Sequence, residues 1–264
     1  MNDVQGRTDD RNIPIKQVGV SGLTYPIMVL DGSGLLIPSV ATIAMSVYLP
    51  HHFKGTHMSR FVEVLNEHRG EVTMRTLPTI LSAIKARLDS SSAKIRVEFP
   101  YFVEKRAPVT DSHGMMDYLC VFEAETWGTE DRFLLTVTVP VTSLCPCSKE
   151  ISDYGAHNQR GYITITVRTN VGSDDLPQFI LIEELIEIAE KSASAPVYPL
   201  LKRADERHVT MQAYDNPVFV EDMVRNAAVQ LDADDRICWY QVRAVNHESI
   251  HNHEAFAEVE GLNV

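Results

Sequence analysis

Apolar and polar residues alternate with a period of two along much of this chain, and twice the alternation gives way to helical spacing. That pattern limits the folds open to it. Ile43, Met45, Val47 and Leu49 make one alternating run. Met58, Phe61, Val62 and Leu65 then recur at i, i+3, i+4 and i+7, and Leu77, Ile80, Leu81, Ile84 and Leu88 do the same, which predicts two amphipathic helices in succession. Strand spacing returns at Ile95-Val97-Phe99, at Tyr118 to Phe122, at Leu135-Val137-Val139-Val141 and at Ile163-Ile165-Val167. Leu181, Leu185 and Ile188 mark a third helix. Asn216-Pro217 reads as an N-cap and N1 pair opening a fourth helix, with Val220, Val224, Ala227, Ala228 and Leu231 as its stripe. The alternation closes at Cys238-Tyr240-Val242-Ala244 and Ala255-Ala257-Val259. Strands in runs with helices in pairs predict an α+β fold with antiparallel sheets, the pattern of elements occurring twice. A boundary near 143–160 separates the two occurrences.

The 264 residues, 44% hydrophobic and 23% charged, suit a globular protein with a substantial core. No apolar run approaches the ~20 residues of a membrane span. The polar start, Met1 to Asn12, lacks a signal-peptide core, so a cytoplasmic chain with a frayed tail over 1–12 is the expectation. Cysteines stay reduced there, and Cys120 and Cys238, alone in apolar runs, read as core thiols. The net charge of −12 argues against a broad basic face for nucleic acid. It leaves room for a local basic pocket and a small anionic ligand.

The chemistry concentrates in two clusters. Ser143-Leu144-Cys145-Pro146-Cys147-Ser148-Lys149-Glu150 is followed by Tyr154-Gly155-Ala156-His157-Asn158-Gln159-Arg160-Gly161. Thiolate and imidazole suit a borderline-soft divalent metal. On extended backbone Cys145 and Cys147 would point to one side. Near the C-terminus lies Asn246-His247-Glu248-Ser249-Ile250-His251-Asn252-His253-Glu254. His247 to His251 matches the H-E-x-x-H protease pattern letter for letter. That motif works only on a helix, and the flanks here alternate like strands, with His251 and His253 on one face. Between the clusters, Lys202 and Arg203 are candidates for phosphate. Glu206 reads as a ligand or a solvated charge, and Glu221 suits a first helical turn whatever else it does.

The Ser-Leu-Cys-Pro-Cys-Ser-Lys-Glu-Ile-Ser run with Gly-Ala-His-Asn-Gln-Arg-Gly resembles the signature of GTP cyclohydrolase type IB. Gly55-Thr56-His57-Met58-Ser59-Arg60-Phe61, Leu201 to Glu206 and Glu248 to His253 resemble further motifs of that family, in the same order from about residue 10 to 260. The resemblance implies a tandem tunnelling fold, antiparallel sheets each backed by a helix pair, with halves at 13–142 and 143–264 in one enzyme domain. It also implies a homotetramer, and a reaction that converts GTP and water to formate and 7,8-dihydroneopterin triphosphate, feeding folate and queuosine synthesis. The implied cofactor is a divalent metal: zinc, manganese or ferrous iron.

Carried onto this chain, the resemblance makes Cys145, His157 and Glu206 the metal ligands. Cys147, Glu221, His251 and His253 become candidates for proton transfer. Glu248 becomes the carboxylate that grips the purine edge, and Lys202, Arg203, Arg60 and His57 become candidates for the triphosphate. Two rival classes fit less well. A zinc deaminase requires H-x-E with P-C-x-x-C, and a closed structural zinc site presents C-x₂₋₄-C pairs; the chain contains no C-x-x-C.

Overall fold

The computed structural model of the chain describes residues 5–68, 71–73, 75–127, 130–173 and 176–263. Among these residues nine strands and six helices form an α+β fold with a nine-stranded sheet. No helix among them is long and apolar enough to cross a membrane. The chain folds as two compact units. One takes Met1–Pro100, Val121–Leu135 and Val171–Phe179; the other takes Tyr101–Cys120, Thr136–Asn170 and Ile180–Val264.

In the first unit β1 (Ile15–Leu30) pairs antiparallel with β2 (Leu36–Leu49), and β2 with the start of β3 (Ser92–Arg106). β1 escaped the period-two reading because two register shifts, Ile15/Val18 and Val20/Leu23, break its alternation. α1 (Ser59–Glu67) buries Phe61, Val64 and Leu65, so its stripe turns on Val64 and not on Met58, which precedes the helix and is exposed. α2 (Leu77–Leu88) buries all five residues of its expected stripe. Residues 1–4 of the expected tail lie outside the described residues. Beyond them, Gln5, Arg7 and Asp9 are backbone hydrogen-bonded to Gly55, Lys54 and His52.

The second unit carries the helix pair of the C-terminal region. β5 (Glu130–Leu144) leads through α3 (Pro146–Ile151) to β6 (Asn158–Thr169), which pairs antiparallel with β8 (Ile237–Asn246), and β8 pairs with β9 (Ala255–Leu262). α4 (Ile182–Lys191) and α6 (Val220–Asp232) pack on these strands. Leu185, Ala189, Met223, Ala227 and Leu231 lie fully buried with Ile163, Ile165, Val167 and Val242. The two-residue β7 (Ala195–Pro196) adds to β5. β4 (His113–Trp127) contributes the fully buried Cys120, whose thiol is pushed up by that burial; Cys238 is only half-buried.

One helix boundary differs from expectation. Asn216 does not open α6; it closes α5 (Arg203–Asp215), its N–H reaching Gln212 O, and its amide donates to Ala193 O and Ser194 O. Pro217 disfavours helical backbone at Asn216 and so ends α5. α6 starts at Val220, with Asp222 accepting from the Phe219 N–H. α5 had no sequence signal, since it buries only Asp205 and Ala213.

Asp205 is what starts α5. Its carboxylate accepts from the Lys202 N–H (2.9 Å), the Val109 and Thr110 N–H groups (both 2.9 Å) and the Thr110 hydroxyl (2.6 Å). Burial alone would raise this carboxyl; the hydrogen bonds from Thr110, Lys202 and Val109 outweigh it and hold the group well below the ordinary carboxylate range. A depressed folded value contributes stability above the unfolded value, about 4, and loses it as pH falls toward the folded one. Asp205→Ala is therefore expected to lower the thermal midpoint by several degrees at neutral pH. It should also flatten the acid limb of the midpoint-against-pH curve below about pH 4. An unchanged acid limb would remove Asp205 from this role.

Candidate active site

Three strands of the second unit end on polar residues in a phase otherwise reserved for the core. Ser143 continues the Val137-Val139-Val141 phase of β5, Gln159 starts the Gly161-Ile163-Ile165 phase of β6, and Asn246 ends the Val242-Ala244 phase of β8. All three are more than 90% buried. A buried polar side chain needs partners, and these find each other. Asn246 Nδ2 donates to Ser143 Oγ at 2.9 Å and Gln159 Nε2 to the same oxygen at 3.4 Å.

Cys145 follows Ser143 and Leu144. It is the extended N-cap of α3, with Pro146 in the first turn. Cys147 thus sits on a helical turn, and the extended Cys-Pro-Cys expected from sequence is corrected by Pro146 starting a helix. The turn also fastens His157. Cys145 N–H donates to His157 O (3.1 Å), and Ser148 Oγ donates to Cys145 O (3.1 Å) while accepting from His157 N–H (3.2 Å).

The His157 ring lies against Gln159, Nδ1 to Oε1 at 2.8 Å, and 3.9 Å from a Glu248 carboxylate oxygen. Gln159 Nε2 approaches the other Glu248 oxygen at 3.5 Å. The His157 and Glu248 side chains each retain only 14% exposure. Cys145, Cys147, His157, Glu221, Glu248, His251 and His253 line one pocket of about 440 Å³ within the second unit, with Ser143, Gln159 and Asn246 in its wall. Glu221 enters from the first turn of α6. Residues 247–254 form a loop between β8 and β9, so the H-E-x-x-H letters carry no helical zinc site. His247 pairs with Glu254 (3.2 Å), and the His251 and His253 rings stack at 4.9 Å.

The remaining expected residues lie elsewhere. Lys202, Arg203 and Glu206 are exposed at the start of α5 and do not line this pocket. His57 and Arg60 line a separate pocket of about 160 Å³ in the first unit, where Arg60 donates to Arg87 O. Among the described residues no three His, Cys, Asp or Glu side chains group to hold a metal within one chain. The pocket's donor set is therefore a partial fit to a divalent ion. Cys145 and His157 offer the sulfur and nitrogen such an ion takes, and Glu206 stands outside.

The geometry explains why Gly161 carries no side chain. A Cβ there would fall 2.5 Å from Asn246 Oδ1, its cross-strand partner. Gly161→Ala is expected to displace Asn246 and to destabilise by about 1–3 kcal/mol through overpacking. Denaturant unfolding measures it, and an unchanged midpoint would show that Asn246 relaxes freely.

Sequence comparisons show the family of this chain, and structure comparisons show its fold alone. The family model described as type I GTP cyclohydrolase folE2 matches residues 1–257. A GTP cyclohydrolase FolE2 of Citrifermentans bemidjiense is 53% identical over 260 residues, covering 98% of this chain and 94% of its own. One of Syntrophus aciditrophicus is 51% identical, covering 98% and 99%. By fold alone the chain is similar to the uricase of Arthrobacter globiformis, with a TM-score of 0.54, 9% identity and 93% of each chain covered. It is likewise similar to a mutant Bacillus sp. TB-90 urate oxidase, with a TM-score of 0.55, 10% identity and 94% and 100% covered. With its motif cysteines and histidine gathered in one pocket and half its residues shared with those relatives, the chain belongs to the type I GTP cyclohydrolase folE2 family.

Proposed function

We propose that this chain is a metal-dependent GTP cyclohydrolase I that hydrolyses GTP at C8 to formate and 7,8-dihydroneopterin triphosphate. The observation that carries the reading is the pairing of Glu248 with Cys145 and His157 in one pocket. Gln159 bridges the His157 ring and the Glu248 carboxylate, and Cys145 lines the same pocket, which supports reading Glu248 as the purine anchor and Cys145 and His157 as metal donors.

Glu248 binds guanine by accepting from its N1–H and 2-amino group, a charge-assisted pair that a carboxylate suits. Cys145 and His157 would hold a zinc, manganese or ferrous ion, which when bound would supply an acidified water for attack on an electrophilic carbon. Hydrolysis at C8 opens the five-membered ring and a second hydrolysis releases formate. The ribose then rearranges and closes onto the freed pyrimidine amine. Several protons move in this sequence, and Cys147, Glu221, His251 and His253 are the pocket residues placed to carry them. The product feeds folate or queuosine synthesis.

The assembly belongs to the same proposal: tandem tunnelling-fold halves, 13–142 and 143–264, in a cytoplasmic homotetramer. Among the described residues β9 pairs with β8 alone, and an open strand edge is a natural site for a second chain. Glu206, Lys202, Arg203, His57 and Arg60 then complete a neighbouring subunit's pocket, Glu206 as third ligand and the basic residues at the triphosphate. Mixed tetramers of two inactive variants, His157→Ala and Glu206→Ala, are expected to regain up to about a quarter of wild-type turnover. No recovery on subunit exchange would place Glu206 with its own chain's pocket.

The reading is tested by stripping the protein, reloading it anaerobically with each metal and adding GTP. Fluorescent neopterin after oxidation and dephosphorylation supports it. Bound metal without that product contradicts it.

A further inference from the structure

We infer that Gln159 is a positioning residue that fixes the His157 tautomer and holds the Glu248 carboxylate, so that the metal donor and the guanine anchor are set by one side chain. The inference rests on the proposed cyclohydrolase reading for what the two groups do; its geometry stands by itself.

The hydrogen-bond network has a direction because both ends accept only. The Val218 carbonyl takes the Ser143 hydroxyl proton at 3.4 Å. Ser143 Oγ is thereby left as acceptor for Asn246 Nδ2 and Gln159 Nε2. At the other end Glu248, as a carboxylate, accepts from Gln159 Nε2. With both acceptors on its amine side, the Gln159 amide is oriented and Oε1 faces His157 Nδ1 at 2.8 Å. An amide oxygen cannot donate, so Nδ1 carries the proton and Nε2 keeps the lone pair of the neutral ring. Ligating histidines are commonly held in this way by a partner on the other nitrogen.

Gln159 also keeps two groups apart. Without it, the His157 Nδ1–H would turn to the Glu248 oxygen now 3.9 Å away. That contact would occupy the carboxylate that guanine needs. A neutral residue with one acceptor and one donor end satisfies both neighbours without adding charge, which is why glutamine fits a position where glutamate or leucine does not. Gln159 touches neither substrate nor reacting atoms in this account.

The test uses the full chain with Gln159→Leu and Gln159→Glu, each checked by circular dichroism and thermal midpoint. Nitrogen-detected imidazole NMR of metal-free protein, with His157 assigned by its loss in His157→Asn, is expected to show Nδ1–H in the wild type and in Gln159→Glu. Gln159→Leu should show a mixture. Manganese affinity by chelator competition should fall ~10–100-fold in Gln159→Leu, the usual cost of a lost outer partner, and by only a few-fold in Gln159→Glu. GTP affinity of the metal-free protein should fall roughly tenfold or more in both, since both lose the donor to Glu248. A merely structural role predicts parallel losses of metal and GTP that track the thermal midpoint, and that pattern overturns the inference. An Nε2–H tautomer in the wild type overturns it too. Wild-type protein that binds neither GTP nor metal defeats the cyclohydrolase reading instead, and the tautomer signal then decides the Gln159 assignment alone.

Discussion

Cys145→Ala is expected to leave the protein folded yet unable to retain a divalent ion or to turn over GTP. The Cys145 side chain is half-buried and, among the described residues, accepts one weak hydrogen bond, from Ser148 N–H at 3.5 Å, so its removal leaves little strain. The backbone links from Cys145 and Ser148 to His157 survive the change. What disappears is the sulfur donor beside the histidine. The loss of turnover should exceed the ~10–100-fold that outer-shell changes cost, because the change removes the proposed ligand itself. Metal content by mass spectrometry and formate release check it together. A variant with normal metal and normal turnover would remove Cys145 from the ligand set.

Glu248→Gln is expected to separate substrate binding from metal binding. The variant keeps shape and one acceptor but loses the charge that favours the guanine edge. Hydrogen bonds to charged groups contribute about 1.5–3 kcal/mol, so kcat/KM for GTP should fall on the order of 10–100-fold while the metal stays bound. Steady-state kinetics with parallel metal analysis reads this out. Loss of metal in Glu248→Gln would instead make the carboxylate a ligand, and the purine anchor would have to be sought elsewhere in the pocket.

Much of this site could be read in the sequence because the chemistry lies in compact motifs. Cys145, Cys147 and His157 fall within one segment, and Glu248, His251 and His253 within another; β6–β8 pairing brings the two together. The core was legible for the same reason the fold class was. α2 and α6 bury the stripes their spacing predicts, and β6 buries its Ile-Ile-Val phase. Elements without a periodic stripe were not legible. α5 is held by one buried carboxylate, Asp205, and β1 loses its alternation at two bulges.

The polar wall of the pocket did have a signal. Ser143, Gln159 and Asn246 each occupy a core-phase position at a strand end, where a polar residue is out of place unless something needs it. Spacing alone could not reach Glu206, Lys202, Arg203, His57 and Arg60. The first three lie exposed at the start of α5, and the last two belong to the first unit. The part proposed for them rests on the proposed assembly, which one chain's periodicity does not encode.

The central claim is that this pocket opens the guanine ring at C8. The most direct measurement follows the carbon itself: GTP labelled with carbon-13 at C8, incubated anaerobically with manganese-loaded protein and observed by NMR. The account predicts that the label leaves as formate in a one-to-one ratio with 7,8-dihydroneopterin triphosphate, and that Cys145→Ala protein yields neither. Label retained in a purine while nucleotide is consumed, or formate released equally by the variant, would contradict it.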